Sequence, residues 1–173
     1  ISLINSLKKR GDEVKFDLKD DDLDIILLID PRFYNERITF GAFDVIKYLL
    51  FKNKNSIVVH RINECDERKK TWHMNKLLKI SNYCADHTVL IASWLKSLKI
   101  YQQNIPYSII LNGGDSNLFK SSLNKKWNKK NPLKIVTHHW SPNYMKGFDV
   151  YIKLDKLLNK KIWKDSLIFT YIG

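Results

Sequence analysis

Residues 134–151 read KIVTHHWSPNYMKGFDVY, and this stretch decides how the rest of the chain is interpreted. A β-branched run stops at two histidines, a polar loop that contains proline follows, and Lys146-Gly147 then precedes an amphipathic pattern. The order predicts a strand, a loop and a helix, with the loop at the carboxyl end of a parallel strand, where open α/β sheets bind ligands. Free N–H groups at a helix N-terminus, with a lysine beside them, suit a phosphate. The segment therefore predicts an anion site, and a diphosphate fits it best.

Strand and helix patterns alternate along the whole chain. Apolar runs predict strands at residues 13–16, 24–29, 56–60, 87–92, 107–111, 134–138 and 167–172. Amphipathic patterns predict helices at residues 1–10, 41–52, 72–85, 93–102 and 148–160. Apolar runs without in/out alternation are typical of a parallel sheet that is covered on both faces. The predicted fold class is therefore α/β, with a doubly wound, Rossmann-like parallel sheet.

One stretch interrupts the alternation. Residues 120–132 read KSSLNKKWNKKNP, which suits neither a strand nor a regular helix. We interpret it as a linker between an N-terminal Rossmann-like domain at residues 1–119 and the start of a second Rossmann-like domain at residues 133–173. The chain begins inside an amphipathic pattern without an initiator methionine and stops just after an apolar strand. We therefore expect a fragment whose first domain lacks its first strand.

The formal charge of +12 is unevenly distributed over the 173 residues. Residues 1–67 hold 11 Lys and Arg against 13 Asp and Glu, whereas residues 68–173 hold 19 against 5. Such asymmetry indicates an anionic partner (nucleic acid, an anionic lipid surface or a phosphorylated substrate) or else a biased composition. No membrane-spanning run or signal peptide is visible, and the two cysteines form no disulfide pattern. We expect a cytoplasmic protein, with peripheral contact to the anionic inner face of the membrane as a further expectation.

A dense polar loop follows the predicted strand at residues 56–60. His60, Arg61, Asn63, Glu64 and Asp66 supply an imidazole, a guanidinium, an amide and two carboxylates. Such mixed donors and acceptors suit a hydroxyl-rich sugar, and His60 or a carboxylate could take part in proton transfer. The alternative interpretation is a solvated charged loop whose ion pairs contribute little to stability.

Two further motifs are less specific. Asn112 opens the sequence NGGD, whose paired glycines permit a tight turn near a cleft but lack the three spaced glycines of a dinucleotide site. His138 and His139 suggest a metal, but adjacent residues on a strand point to opposite faces, and no third ligand has a familiar spacing. We expect no metal site.

Four segments, taken in order, resemble a retaining glycosyltransferase of the GT-B class and are most similar to glycosyltransferase family 4. They are VHRIN at residues 59–63, ADHTV at 85–89, ILNGGD at 110–115 and the segment at 134–151. The resemblance implies two Rossmann-like domains that face a cleft. The first would bind the acceptor, a glycan or lipid-linked glycan, and the second would bind a nucleotide-sugar. It also implies transfer with retention of configuration, without a metal or another cofactor.

The polar motifs and the resemblance together assign a role to each candidate residue. The predicted catalytic residues are His60, which resembles a strand-end histidine near the transferred sugar, and Glu64. The predicted acceptor- or sugar-binding residues are Arg61, Asn63, Asp66 and Asn112. The predicted donor-diphosphate residues are Lys146, which resembles the diphosphate-binding lysine of the family, with Gly147, Ser141 and His139.

The chain departs from the family pattern in two respects. Where the family commonly has a Gly-Arg pair shortly before the lysine, this chain has His139-Trp140-Ser141, so the residues that usually make the second phosphate contact of the family are not present. The glycine-rich first loop and the downstream glutamate pair of the family fall outside the chain, so we expect the fragment to be inactive by itself. Two other classes stay open: a nucleic-acid-binding module that uses Trp127 among its lysines, although we do not expect nucleic acid as the main partner, and a non-catalytic regulatory Rossmann-like domain.

Overall fold

The computed structural model describes residues 2–33, 36–115, 127–139, 144–160 and 165–172. The chain divides into two compact units, Ile1–Ser116 (unit 1) and Asn117–Gly173 (unit 2). Of the predicted linker, residues 127–132 form neither helix nor strand, and residues 120–126 lie outside the described residues. None of the described helices has the length and apolar character that a membrane crossing needs.

Unit 1 contains a parallel sheet in the order β1-β2-β3-β4. Its strands are β1 (Ile25–Leu28), β2 (Ile57–Ile62), β3 (His87–Leu90) and β4 (Tyr107–Ile109). Its α-helices are α1 (Ser2–Arg10), α2 (Ala42–Phe51), α3 (Asp66–Lys69) and α4 (Met74–Ser81), and 3-10 helices span Asn82–Cys84 and Ser93–Leu98. The predicted α/β class with a parallel sheet is confirmed, and the arrangement is compatible with a Rossmann-like fold.

One face of this sheet carries the core of unit 1. Fully buried side chains alternate with more exposed ones along β1, β2 and β3. The register pairs Ile26 with Val58 and Ile62 with Leu90, so these buried side chains share one face. Helix α2 packs on it next to β1, and α4 packs on it next to the end of β2. Burial of each such aliphatic side chain contributes about 1.5–3 kcal/mol, which holds the carboxyl ends of the strands in place.

The opposite face of the sheet is much less covered. Ile25 is 64% exposed and Ile57 is 50% exposed. The cause is the strand order, because right-handed crossovers that all run in one direction place their helices on the same face. A doubly wound sheet needs a reversal of strand order, and none occurs among the described strands. The prediction of a doubly wound sheet covered on both faces is therefore wrong for this part of the chain.

Several predicted boundaries also change. Residues 13–16 form no strand; Lys15 there pairs locally with Glu13 at 2.5 Å and with Asp20 at 3.0 Å. The helix predicted at residues 72–85 is limited to α4 and the short 3-10 turn after it, and residues 93–98 form only a 3-10 helix. Strand β2 extends two residues beyond its predicted end at His60, to Ile62. His60 therefore lies inside the strand and not at its carboxyl end.

Unit 2 contains a two-stranded parallel sheet formed by β5 (Leu133–His138) and β6 (Leu167–Ile172). A 3-10 helix at Tyr144–Lys146 and α5 (Phe148–Leu158) connect the strands. Helix α5 packs on the sheet through Tyr151, whose ring centroid lies 5.6 Å from that of Phe169 and 5.7 Å from that of Tyr171. The strand predicted at residues 134–138 and the helix predicted at residues 148–160 both form, as β5 and α5. Strand β5 belongs to a different sheet from the strands of unit 1.

Candidate functional site

A cavity of about 340 Å³ lies beside the carboxyl ends of β1 and β2. Its polar lining residues are Asp30, Arg32, Arg37, Thr39, Asn63 and Glu64. Its apolar lining residues are Leu27, Ile29, Pro31, Ile38 and Phe40. This is the sheet edge at which parallel α/β proteins bind ligands, and the volume lies at the lower end of the range of about 300–1,000 Å³ for small-molecule sites.

Three charged groups of the cavity, those of Asp30, Arg32 and Glu64, form one network. Arg32 donates from Nη1 to Asp30 Oδ2 at 2.6 Å and from Nη2 to Glu64 Oε2 at 3.2 Å. The other carboxylate oxygen of Glu64 accepts a hydrogen bond from the ammonium group of Lys69. The side chains of Asp30, Glu64 and Arg32 are 14%, 23% and 32% exposed, so the network is shielded from bulk water but still accessible. The loop after β1 is thereby tied to the loop after β2.

The loop that carries Arg32 is held in place from two sides. The buried hydroxyl of Ser81 donates to the carbonyl oxygen of Pro31 at 2.7 Å. Gly41, the N-cap of α2, lies so close to this loop that a Cβ atom at its position would be 2.1 Å from the carbonyl oxygen of Arg32. The N–H of Gly41 donates to the carboxylate of Asp44 at 2.9 Å, which is the half of a capping box that a glycine N-cap can form. Only glycine permits this close approach.

His60, one of the two predicted catalytic residues, does not line the cavity. Its side chain is fully buried on the core face of β2. The Asn82 amide oxygen accepts the N–H of Gln102 at 2.8 Å, so its NH₂ group donates to Thr88 at 2.9 Å and to His60 Nδ1 at 3.0 Å. The proton therefore resides on Nε2, which has no partner among the described residues. Burial lowers the pKa of His60 from 6.5 to about 4.

Asp66 stabilises the start of α4, so the prediction that it binds sugar is not supported by its placement. Its carboxylate accepts the backbone N–H groups of Met74 and Asn75, both at 2.9 Å, and the hydroxyl of Thr71 at 2.5 Å. Burial by itself raises the pKa of Asp66, but the hydrogen bonds from Thr71, Asn75 and Met74 outweigh it, so that the pKa is lowered overall. Both carboxylate oxygens of Asp66 thus accept hydrogen bonds from within the protein.

Arg61 and Asn112 contact each other and lie away from the cavity. Arg61 Nη2 donates to Asn112 Oδ1 at 2.5 Å, which connects the end of β2 to the segment after β4. Neither residue is among those that line the cavity. Of the residues predicted to be catalytic or to bind sugar, only Asn63 and Glu64 meet there.

In unit 2, Lys146 ends the 3-10 helix and is exposed, directly before the start of α5. Gly147 caps that helix with a φ of 93°, a backbone conformation that favours glycine. His139 is half-buried, and its Nε2 lies 2.6 Å from the hydroxyl of Tyr151. Only the other ring nitrogen of His139 is left for a phosphate, whereas Ser141 lies outside the described residues.

No family model, curated protein or solved structure matches this chain. Among the described residues, no group of three or more His, Cys, Asp or Glu side chains could hold a metal ion.

The sequence interpretation missed the contribution of the loop after β1. Arg32, Arg37 and Thr39 line the cavity, and Arg32 is the residue that connects the two strand-end loops. The signal was present, because the sequence DPR at residues 30–32 follows the predicted strand at residues 24–29. The same strand-end argument that singled out the loop after β2 applies there.

Proposed function

We propose that this chain acts in a retaining glycosyltransferase, with unit 1 receiving the acceptor and unit 2 binding the nucleotide-sugar donor. The observation that carries the proposal is the cavity at the carboxyl ends of β1 and β2, where Asn63 and Glu64 meet Arg32. A polar cavity at this edge of a parallel sheet supports ligand binding there. The choice of a glycan acceptor and a nucleotide-sugar donor as ligands comes from the four segments that resemble glycosyltransferase family 4.

On the acceptor side, Glu64 is the acid–base group of the proposal. A hydroxyl that attacks a sugar must lose a proton, and a carboxylate within hydrogen-bonding distance can accept it. His60 cannot do so in this conformation, because it is fully buried. Glu64 lines the cavity and is held by Arg32 and Lys69, so its carboxylate has a defined position.

On the donor side, Lys146 and the first turn of α5 would hold the diphosphate. The exposed ammonium of Lys146 and the N–H groups of that turn can act on the same anion. Negative charge on the leaving nucleotide diphosphate grows as the bond to the sugar breaks, so the contact would strengthen in the transition state. Asp149 also lies in the first turn, and its carboxylate would oppose a bound diphosphate.

Calorimetric titration of this chain with UDP-, GDP- and ADP-sugars tests the donor side. We expect at least one to bind and Lys146→Ala to weaken it by about 10- to 150-fold, since a charge-assisted contact is worth about 1.5–3 kcal/mol. Asp149→Asn should tighten binding by about two- to fivefold, because a like charge is removed from the helix N-terminus.

Lys153→Ala is the matched control, because Lys153 lies on the body of α5, away from its N-terminus. The assignment is wrong if no nucleotide-sugar binds, or if Lys146→Ala and Lys153→Ala behave alike. Salt-sensitive binding of an oligonucleotide by the wild type would instead favour a nucleic-acid-binding module.

A further inference from the structure

The lining of the cavity of unit 1 carries balanced formal charges, the guanidiniums of Arg32 and Arg37 and the carboxylates of Asp30 and Glu64. Both Nη atoms of Arg32 bind carboxylates, those of Asp30 and Glu64. Lys69 binds the remaining oxygen of Glu64. The guanidinium charge is therefore balanced within the network, and two carboxylates form part of the cavity wall.

This pairing decides which ligands the cavity can favour. A phosphate or carboxylate group would meet the carboxylates of Asp30 and Glu64, and to bind Arg32 it would have to take that guanidinium away from both of them. A hydroxyl group has no such conflict, because it donates to a carboxylate and accepts from a guanidinium or an amide. Asn63 and Thr39 add an amide and a hydroxyl of the same dual character to the lining.

We infer that the cavity binds an uncharged, hydroxyl-rich ligand, a neutral sugar, and that Arg32 is the residue that positions Glu64 for it. The inference rests on the proposed function in one respect, since that function makes the bound sugar the acceptor. The apolar wall that includes Phe40 suits the C–H face of a sugar ring, while the polar network binds its hydroxyl groups.

The geometry needed for this role is built before a ligand arrives. The hydrogen bond from Ser81 to Pro31 and the close approach of Gly41 to Arg32 fix the backbone that carries the guanidinium. A group held in this way loses little conformational freedom when the ligand binds, which favours affinity and selectivity. Arg32 acts through Glu64, so the two residues should respond differently to conservative substitution.

Ligand-observed NMR on the whole chain, with methyl glycosides of glucose, galactose and mannose and with the corresponding sugar 6-phosphates, tests the inference. We expect at least one methyl glycoside to bind at millimolar concentration and its phosphate to bind at least threefold more weakly. Glu64→Gln should weaken sugar binding by about tenfold or more, because one charged acceptor is lost. Arg32→Met should weaken it as well, and Arg32→Lys should restore part of it by keeping one ion pair.

Lys15→Met is the matched control, since it removes a cation that pairs with Glu13 and Asp20 outside the cavity, and it should leave sugar binding unchanged. Tighter binding of the phosphates, no binding of any sugar, or unchanged binding by Glu64→Gln would each overturn the inference. Its failure differs from failure of the proposed function. If the chain binds neutral sugars but no nucleotide-sugar, the cavity assignment stands and the proposed glycosyltransferase function is wrong. If it binds a nucleotide-sugar but no neutral sugar, the proposed donor site stands and the cavity assignment is wrong.

Discussion

At the scale of single residues, His60 shows how burial changes what a side chain does. Its pKa is lowered by burial from 6.5 to about 4, and Nδ1 already accepts a hydrogen bond from Asn82. A second proton on the ring would turn Nδ1 into a donor that faces the NH₂ donor of Asn82. The imidazole is therefore neutral near pH 7 and contributes to the core of unit 1 as a neutral group.

We predict that His60 makes unit 1 less stable at mildly acidic pH. Because the folded pKa lies below the unfolded value of 6.5, the unfolded chain takes up the proton first as the pH falls. The contribution of neutral His60 to the free energy of unfolding is fully present above pH 6.5 and is lost as the pH falls towards 4. Between pH 7 and pH 5 the loss is about 2 kcal/mol. Urea unfolding at both pH values measures the difference.

His60→Asn keeps an acceptor near Asn82 and cannot be protonated, so its pH dependence over this range should largely disappear even though its stability is lower. His138→Asn, at an exposed position of β5, controls for the loss of any histidine. The same decrease between pH 7 and pH 5 in wild type and His60→Asn would refute the assignment.

The sequence identified the polar residues after β2 but could not assign each to a face. The side-chain period of a strand is two, so neighbours point to opposite sides. Placing the strand end at His60 and not at Ile62 made all the polar residues look like loop residues. Pairing of Arg61 with Val89 and of Ile62 with Leu90 extends the strand, and only the fold brings these partners together.

At the scale of elements, α4 depends on a residue that precedes it by several positions. His73 stands at the N-cap without a side-chain cap bond, whereas Asp66 accepts the N–H groups of Met74 and Asn75. The capping residue was predicted to bind sugar because the sequence does not reveal that the short helix α3 turns the chain back onto α4.

We predict that Asp66→Ala lowers the free energy of unfolding by about 0.5–2 kcal/mol, the usual loss when a helix cap is removed. Asp66→Asn keeps one acceptor oxygen and should recover part of the loss. Denaturant unfolding measures both variants, and Asp12→Ala, which removes only the surface ion pair with Arg10, should cost less than about 1 kcal/mol. Equal losses for Asp66→Ala and Asp12→Ala would argue against the capping role.

At the scale of the whole molecule, the alternation of strands and helices was predictable, because apolar runs and amphipathic patterns are local properties. The strand order was not, since it depends on which strands pair after the crossovers form. The expectation of two covered faces failed for that reason, and Ile25 and Ile57 remain at least half exposed. The pairing of β1 with β2 also brings the loop after β1 to the cavity, beside the loop after β2.

The two units also differ in how deeply they are packed. Strand β2 buries Val58, His60 and Ile62 completely, whereas no residue of β5, β6 or α5 is fully buried. Backbone amides are protected from hydrogen exchange in proportion to the free energy needed to open the structure around them. We therefore predict that the amides of β2 exchange at least about tenfold more slowly than those of β5, as measured by mass spectrometry.

Two valine-to-alanine variants test the cause of this difference. Val58 is fully buried and Val136 is 64% exposed, so the same two methyl groups are removed from a core and from a surface. Val58→Ala should lower the free energy of unfolding of unit 1 by about 2 kcal/mol and accelerate exchange in β2, because apolar burial is lost and a cavity remains. Val136→Ala should change the free energy of opening that hydrogen exchange reports in β5 by less than about 0.5 kcal/mol, the usual range for a surface substitution. Equal effects of the two variants, or faster exchange in β2 than in β5 in the wild type, would contradict the difference in packing.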